Sequence, residues 1–376
     1  MHREEVLQHF LENEVEKRRI ENLLALEHFF QTSKDELAEE FKQSFKKICF
    51  SIKEQQTQMS KAPLGHITFS MLRTELLEGN HTYIIEGTDE AWFFDLQPFL
   101  ATYDASWAFR FLDQLITELN ERSKTFTGVI TQSDIERIKL KEAKHYHQYI
   151  ISLARYALPA SIICPEYQAL EKELTVEIRV GEYMDVSEVV YIEDHTVKDS
   201  EEVKAWLNEK LDDEYPYEVF SDLNLSLGNY ESMDLRYAFF QKSNVSYSRM
   251  RHCMLVGANL KACQLVESDL SFSLIYEADF SYSQLQGAIF RQAEGASGLP
   301  DLTHWEMPGY LPVRFVGANL EGADFQQANL QGACFVEATI KGVDFTGANL
   351  TGAMFSKEAR EHLTLEPHQE SSIIWK

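Results

Sequence analysis

Residues 315–355 read FVGANLEGADFQQANLQGACFVEATIKGVDFTGANLTGAMF, and the pattern repeats every five residues. The first residue of each five is Phe, Leu or Ile, from Phe315 to Phe355. The same register is apolar or aromatic at each step from Phe220 to Phe290. Because only 44% of the chain is hydrophobic, chance does not account for such a run. A second register two residues earlier holds small or modest side chains, and Asn or Asp recurs between the two.

A period of five fits neither a helix of 3.6 residues per turn nor a strand of period two. The simplest solution turns the chain through a corner every five residues, so that both marked registers point inward on every side. Four such sides close a coil of twenty residues, and coils stack at the strand spacing of about 4.8 Å. Asn and Asp tolerate unusual dihedral angles and bond nearby backbone, so we expect them at the corners.

The runs ANLKACQLVESDLSFS, GANLEGADFQQANLQGACF and GVDFTGANLTGAMF resemble the pentapeptide-repeat family, whose consensus is A(D/N)LXX. The resemblance covers about 216–290 and 311–355 and implies a right-handed quadrilateral β-helix, a solenoid that we place at 216–355. Four early positions depart from the small-residue register, so we expect an irregular first coil; they are Glu218, Leu223, Gly228 and Met233.

The repeat is interrupted at about 291–314, where Gly and Pro, including Pro300, break regular structure. Long loops tend to be functional or disordered, and Trp, Met and Tyr are frequent in interfaces. The interruption is therefore a candidate partner-binding loop, or it folds back over the repeat and covers apolar surface. In the family that the repeat resembles, projecting loops often contact partners. The candidate residues are His304, Trp305, Glu306, Met307 and Tyr310.

Residues 1–215 resemble no family and mix helices with short strands, which indicates an acidic α+β domain. Ser33 with Glu36 forms a capping-box pattern, so a second helix is expected to start there after a first one over 1–31. A β-hairpin is expected to turn at 78–81 and to be followed by AWFFDL. Further expectations are helices at about 97–123, 132–157 and 200–211 and two strands within 174–194.

Catalytic motifs are missing from the sequence: it has no phosphate-binding Gly-rich loop, nucleophile elbow, HExxH or kinase signature. Glu142 and His145 share a helix face at a spacing of three residues, whereas His147 lies off it. Because two histidines two apart on a helix do not chelate one ion, we expect a solvated polar face here and not a metal site. We therefore predict no catalytic, cofactor-binding or metal-binding residues. Five cysteines without a CxxC pair indicate reduced thiols and a cytoplasmic protein. Neither a secretion signal nor a membrane span is apparent.

Residues 356–376 are expected to close the end of the β-helix, because exposed strand edges invite aggregation and terminal repeats need caps. SKEAREHLTL, which follows Phe355, predicts a short helix over the last coil. The apolar tail is expected to dock on its own coil or on a second copy in a homodimer. Its candidate contact residues are Ile373, Ile374 and Trp375.

Three functions remain open from the sequence. The first is a non-catalytic scaffold for a protein partner. The second is a DNA mimic, because members of the family protect topoisomerases from quinolones with acidic β-helices. The net charge of −25 supports it, yet residues 216–357 carry only −6 of that charge. The third is an enzyme or peptide-binding N-terminal domain with the repeat as an accessory. Direct nucleic-acid binding is disfavoured, because phosphate contacts require excess Lys and Arg.

Overall fold

The computed structural model describes residues 3–59, 61–299 and 301–376, so Pro300 lies outside the described residues. The chain forms two compact units. The first comprises Met1–Thr196 together with Asp301–Pro308, and the second comprises Val197–Pro300 and Gly309–Lys376. The first unit thus ends before residue 215, since residues 197–215 pack with the first coil. It also contains part of the predicted interruption of the repeat.

The first unit begins with one long, nearly continuous helical segment. Helix α1 (Arg3–Phe10) passes through a π-helical turn at Leu11–Val15 into α2 (Glu16–Met59). The predicted helix start at Ser33 is wrong, because α2 continues through it. Buried apolar side chains recur every three or four residues on both sides of Ser33, so tertiary packing favours a continuous helix over a local cap. They are Leu23, Leu26, Phe30, Leu37, Phe41, Phe45, Ile48 and Ile52.

The first unit contains a five-stranded mixed sheet in the order β3-β2-β1-β4-β5. Its strands are β1 (Leu64–Met71), β2 (Thr82–Thr88), β3 (Phe99–Asp104), β4 (Lys172–Glu182) and β5 (Ser187–Asp194). Only the β1–β4 pair is parallel. The antiparallel β1–β2 pairing follows the prediction, but a short helix α3 (Arg73–Glu78) precedes the turn at Gly79. The two strands predicted within 174–194 are β4 and β5.

Residues 99–104 were expected to be helical and instead form strand β3. Phe99 and Tyr103 are buried on one face of the strand, against α2. Because residues four apart also share a face of a helix, it is the antiparallel pairing with β2 that makes this segment a strand. The AWFFDL segment holds a 3₁₀ turn at Trp92–Phe94. The remaining helices of the unit are α4 (Ser106–Ser123), a 3₁₀ turn at Lys124–Phe126, α5 (Gln132–Ser161) and α6 (Pro165–Gln168).

The second unit is a β-helix preceded by helix α7 (Ser200–Asn208). Parallel bridges join residues twenty apart, beginning with Val219 and Phe239 and continuing every five residues. Each coil therefore has four five-residue segments. Asn and Asp do not occupy the corners as predicted: Asn244 and Asp269 are bridge residues. Their Oδ1 atoms accept a hydrogen bond from the backbone N–H two residues on, which begins the turn. The side chain thus stabilises a corner from the residue beside it.

The large inward register is buried throughout, as the sequence predicts, and the second register is buried at most of its positions. The large side chains from Phe220 to Phe355 are at most 2% exposed, and several stack along the axis, such as Phe290 on Phe325 at 4.7 Å. Small polar residues in the second register bond backbone carbonyls of the preceding coil. The Ser273 hydroxyl donates to the carbonyl of Met250 at 2.7 Å, and Cys263 Sγ lies 2.7 Å from that of Phe240. These side chains therefore fill the core and provide hydrogen-bond partners for buried backbone carbonyls.

The first coil is regular, contrary to the expectation. Leu223 and Met233 are buried, so larger side chains fill this end of the β-helix. Gly228 is needed because a Cβ there would lie about 2.1 Å from the ring of Tyr230. Helix α7 covers the same end, where Trp206 contacts the ring of Tyr215 at 5.0 Å.

The interruption is shorter than predicted. Glu294 still bridges Leu274 and Asn329, and Arg314 bridges Asp279. Across this point the paired residues are thirty-five apart instead of twenty, so fifteen residues are inserted without breaking the register of the coils. We refer to residues 298–312 as the inserted segment. A coil tolerates such an insertion at a corner because no bridge is lost.

The C-terminal residues continue the stacking. Strands β6 (Cys334–Phe335), β7 (Met354–Phe355) and β8 (Ile374–Trp375) form a short parallel sheet. A 3₁₀ turn at Lys357–Glu361 and helix α8 (Pro367–Ser372) lie between β7 and β8. The Gln369 amide is 1% exposed and donates to the carbonyls of Phe345 and Ala348, both at 2.8 Å.

Candidate interaction sites

Trp305 is the anchor of the inserted segment. Its side chain is 7% exposed, and its indole Nε1 donates a hydrogen bond of 2.8 Å to the Tyr149 hydroxyl on α5. That hydroxyl in turn donates to the Glu27 carboxylate on α2 at 2.6 Å. The His145 ring meets the indole edge to face, with 5.3 Å between centroids. Trp305 is therefore enclosed by the first unit and is not exposed to a partner in this conformation.

The face of α5 that was expected to be solvated is buried, so that prediction is wrong. Glu142 is 3% exposed and His147 is 8% exposed. Burial raises the pKa of Glu142, whose Oε1 lies 3.9 Å from the Arg19 guanidinium. Burial lowers the pKa of both His145 and His147 to about 4. This burial was not predicted because α5 carries charged and apolar residues on adjacent faces. The elements packed against α5 decide which of these faces is covered.

The buried His147 and Tyr149 have hydrogen-bond partners within the first unit. His147 Nδ1 and the Tyr83 hydroxyl share a hydrogen bond of 2.6 Å, which satisfies both in the core. Burial and the Glu27 carboxylate raise the pKa of Tyr149, so its hydroxyl remains a neutral link between Trp305 and Glu27. Substrate has no access to a carboxyl group as buried as Glu142 without a conformational change. Tyr149 and His145, which contact the Trp305 indole, hold the inserted segment.

The other loop candidates lie in different environments. His304 and Glu306 are exposed, and Met307 is 50% exposed. The His304 ring contacts the Asp301 carboxylate at 2.6 Å. Tyr310 belongs to the second unit and stacks on Tyr276 at 4.3 Å. The five predicted residues are therefore not one site. Trp305 is an internal anchor and Tyr310 packs on the coils, whereas the other three are accessible.

The C-terminal candidates contact their own coil. Ile374 pairs with Met354, and its backbone N–H donates to the carbonyl of Ala353 at 2.8 Å. Ile373 and Trp375 are partly buried against the apolar core of the β-helix. The Arg360 guanidinium lies 4.7 Å from the centroid of the Trp375 ring. Ile374 remains 45% exposed.

An exposed apolar surface on the first unit was not predicted. Its side chains come from the loop between β2 and β3, from β3 and from the β4–β5 turn, and Phe93 and Met184 line a common pocket. Phe94 and Leu96 are 84% and 95% exposed, and such neighbouring side chains are typical of interfaces. The only signal in the sequence was the run AWFFDL, which also fits a buried strand. We call this set the apolar surface: Phe93, Phe94, Leu96, Leu100, Met184 and Val186.

In residues 3–59, 61–299 and 301–376, no group of three or more His, Cys, Asp or Glu is placed to hold a metal ion. Within the same ranges, no helix has both the length and the apolar character needed to cross a membrane. All five cysteines are free.

A solenoid of twenty-residue coils with two inward registers defines the class of the second unit. Models of pentapeptide repeats match residues 253–292 with eight copies and 315–358 with nine. This part of the chain is therefore a pentapeptide-repeat domain, as the sequence predicts. Neither match extends into the first unit. No curated protein matches the chain.

Several solved pentapeptide-repeat structures are similar. HetL from Nostoc sp. strain PCC 7120, involved in heterocyst differentiation regulation, is 22% identical over 36% of this chain and 70% of its own, with a TM-score of 0.17. QnrB1, a plasmid-mediated fluoroquinolone resistance protein, is 20% identical over 42% and 77%, with a TM-score of 0.21. A protein of the Arabidopsis thaliana thylakoid lumen is 20% identical over 44% and 77%, with a TM-score of 0.14. Similarity of this extent carries no argument about function.

Proposed function

We propose that the protein is a non-catalytic, cytoplasmic scaffold that binds a protein partner, with specificity in its N-terminal domain and the accessible residues of the inserted segment. The observation that carries the proposal is the apolar surface. Six large hydrophobic side chains there are between 48% and 95% exposed. Clusters of this kind mark interaction sites, because water contact with apolar area is unfavourable and a partner removes it.

The inserted segment adds a smaller, polar surface. Because Trp305 is buried, the segment is held from within and presents His304, Glu306 and Met307. Side chains on a loop that is held in one conformation lose less entropy on binding. These three residues are our proposed contacts, and Trp305 and Tyr310 are proposed to position them.

The coils themselves favour a scaffold over a DNA mimic. A mimic needs rows of unpaired carboxylates, whereas several acids of the second unit are paired with cations. Arg291 contacts Asp324 at 2.5 Å, and Lys341 contacts Glu321 at 3.1 Å. The apolar surface also supports an alternative, in which the N-terminal domain binds a peptide. This alternative differs from the scaffold proposal only in which part of the partner is bound.

The test is affinity capture from the host with the full chain and two matched variants. Leu96→Asp places a charge in the apolar surface, and Leu227→Asp makes the same change at a 78% exposed site on the coils. A buried charge in an interface costs several kcal/mol, on the order of a hundredfold or more in affinity. We expect a partner retained by wild type and Leu227→Asp and lost by Leu96→Asp. Equal capture by all three would contradict the proposal.

A further inference from the structure

A pocket opens on the outer face of the five-stranded sheet, beside the apolar surface, with a volume of about 100 Å³. This volume is far below the ~300–1,000 Å³ of sites for drug-sized ligands or cofactors. It suits one small group or one side chain. Its lining residues divide into a polar floor on β1 and β2 and largely apolar walls from the two adjoining loops.

The floor is formed by Thr68, Glu86 and Thr88. Thr68 and Glu86 are directly opposite in the register of β1 and β2, and Glu86 and Thr88 are two residues apart, so all three share one face. Thr88 is 6% exposed, and its Oγ1 is buried with no hydrogen-bond partner among the described residues. A buried hydroxyl without a partner costs ~1–3 kcal/mol, so it points to a ligand that supplies one.

Glu86 is the uncompensated charge of the floor. It is half-buried, and its burial raises the pKa of the carboxyl group. In the described part of the chain, no Lys, Arg or His forms an ion pair with it.

The nearby cations are already paired. Lys61 contacts Asp95 at 2.9 Å, and Arg179 contacts Glu177 at 2.6 Å. A carboxylate that is half removed from water and has no cation beside it favours a positively charged ligand.

The walls are suited to an alkyl chain. Trp92 and Phe93, whose rings stack at 4.3 Å, line the pocket together with Tyr183 and Met184. The backbone of Trp92 has φ 51°, which is unfavourable for a bulky residue. Strain of this kind, on the order of 1–3 kcal/mol, tends to persist at functional sites. Trp92 is itself one of the residues that line the pocket.

We propose that this pocket binds a primary alkylammonium group, specifically a lysine side chain of the partner protein. The ammonium donates to the Glu86 carboxylate and the Thr88 hydroxyl, and the methylene stem lies between Phe93 and Met184. The choice of a protein lysine over a free amine rests on the proposed function, because the surrounding apolar surface requires a larger ligand to cover it.

The probes are n-butylammonium, Nα-acetyl-lysine amide and n-butanol, each titrated into the full chain by heteronuclear NMR. The resonances of Thr88 and of the Trp92 indole report on the pocket. We expect both ammonium probes to bind at millimolar concentration and n-butanol not to bind. Equal binding of n-butanol would overturn the role of the charge. Binding of n-butylammonium without the lysine probe would overturn the lysine assignment.

The variants are Glu86→Gln, Thr88→Val and, as a control, Glu90→Gln at an exposed site near the end of β2. Glu86→Gln is expected to weaken ammonium binding at least tenfold, and Thr88→Val severalfold, while Glu90→Gln keeps the wild-type affinity. Unchanged affinity of Glu86→Gln, with a folded spectrum, would refute the site. Because the probes require no partner, this outcome is independent of the capture experiment with Leu96→Asp.

Discussion

Trp305 lies 156 residues after Tyr149 in the chain, and its indole Nε1 donates a 2.8 Å hydrogen bond to the Tyr149 hydroxyl. The indole contacts Tyr149 and His145 on α5, and the Tyr149 hydroxyl donates in turn to Glu27 on α2. Thus a segment that leaves the pentapeptide coils belongs to the core of the first unit. The side chain of the inserted segment that is most typical of protein interfaces, Trp305, is therefore internal.

The first prediction concerns this anchor. Trp305→Ala removes a buried aromatic ring and is expected to destabilise the first unit by about 3–5 kcal/mol. Trp305→Phe keeps most of the aromatic ring but removes the N–H donor, so we expect it to destabilise the first unit by only about 1 kcal/mol. Native-state hydrogen exchange of α5 amides measures both. Met307→Ala, at a 50% exposed site, should change stability by less than about 0.5 kcal/mol. If the α5 amides of Trp305→Ala were as protected from hydrogen exchange as those of wild type, the role of Trp305 as an anchor would be contradicted.

The second prediction concerns acid sensitivity. Burial lowers the pKa of His147 to about 4, against about 6.5 in an unfolded chain. The unfolded state therefore takes up a proton first as pH falls, and stability decreases between about pH 6.5 and pH 4. One such histidine contributes a slope of up to about 1.4 kcal/mol per pH unit.

His147→Gln should reduce that slope, measured by denaturant unfolding at several pH values. His28→Gln is the matched control, because His28 is exposed, and it should leave the slope unchanged. Equal slopes for His147→Gln and wild type would show that His147 is not buried in its neutral form.

The third prediction concerns the corners of the coils. Gly322 has φ +69°, and a Cβ there would meet no atom within 4 Å. Gly322→Ala is therefore expected to lower the free energy of unfolding by about 1–2 kcal/mol, through the unfavourable backbone conformation alone. Gly322→Asn should cost less, since Asn tolerates the left-handed region. Thermal unfolding of the two variants checks the order. A larger loss for Asn than for Ala would indicate a steric cause instead.

The fourth prediction concerns the end of the β-helix. We propose that residues 356–376 cap the last coil, because Ile374 pairs with Met354 and Gln369 satisfies two carbonyls. Removing residues 373–376 then exposes the backbone of Met354 and Phe355, and self-association should increase. Analytical ultracentrifugation measures it. If instead the intact chain is a homodimer through Ile374 and Trp375, the truncation should yield monomers.

The chain's helices show why part of the fold escaped prediction. The capping pattern at Ser33 is a genuine local signal, but the buried stripe from Leu23 to Ile52 overrides it. Similarly, the apolar residues of 99–104 fit helix and strand equally over so short a length, and only pairing with β2 decides between them.

By itself, the sequence determined the pentapeptide β-helix. Each fifth residue contacts its neighbours in the adjacent coils, so the interactions that form the core are written in a short, fixed period. The tertiary structure alone decided the burial of Trp305, Glu142 and His147 and the exposure of Phe94 and Leu96. These depend on which distant elements cover a helix face or leave a loop uncovered, and burial of that kind has no period along the chain.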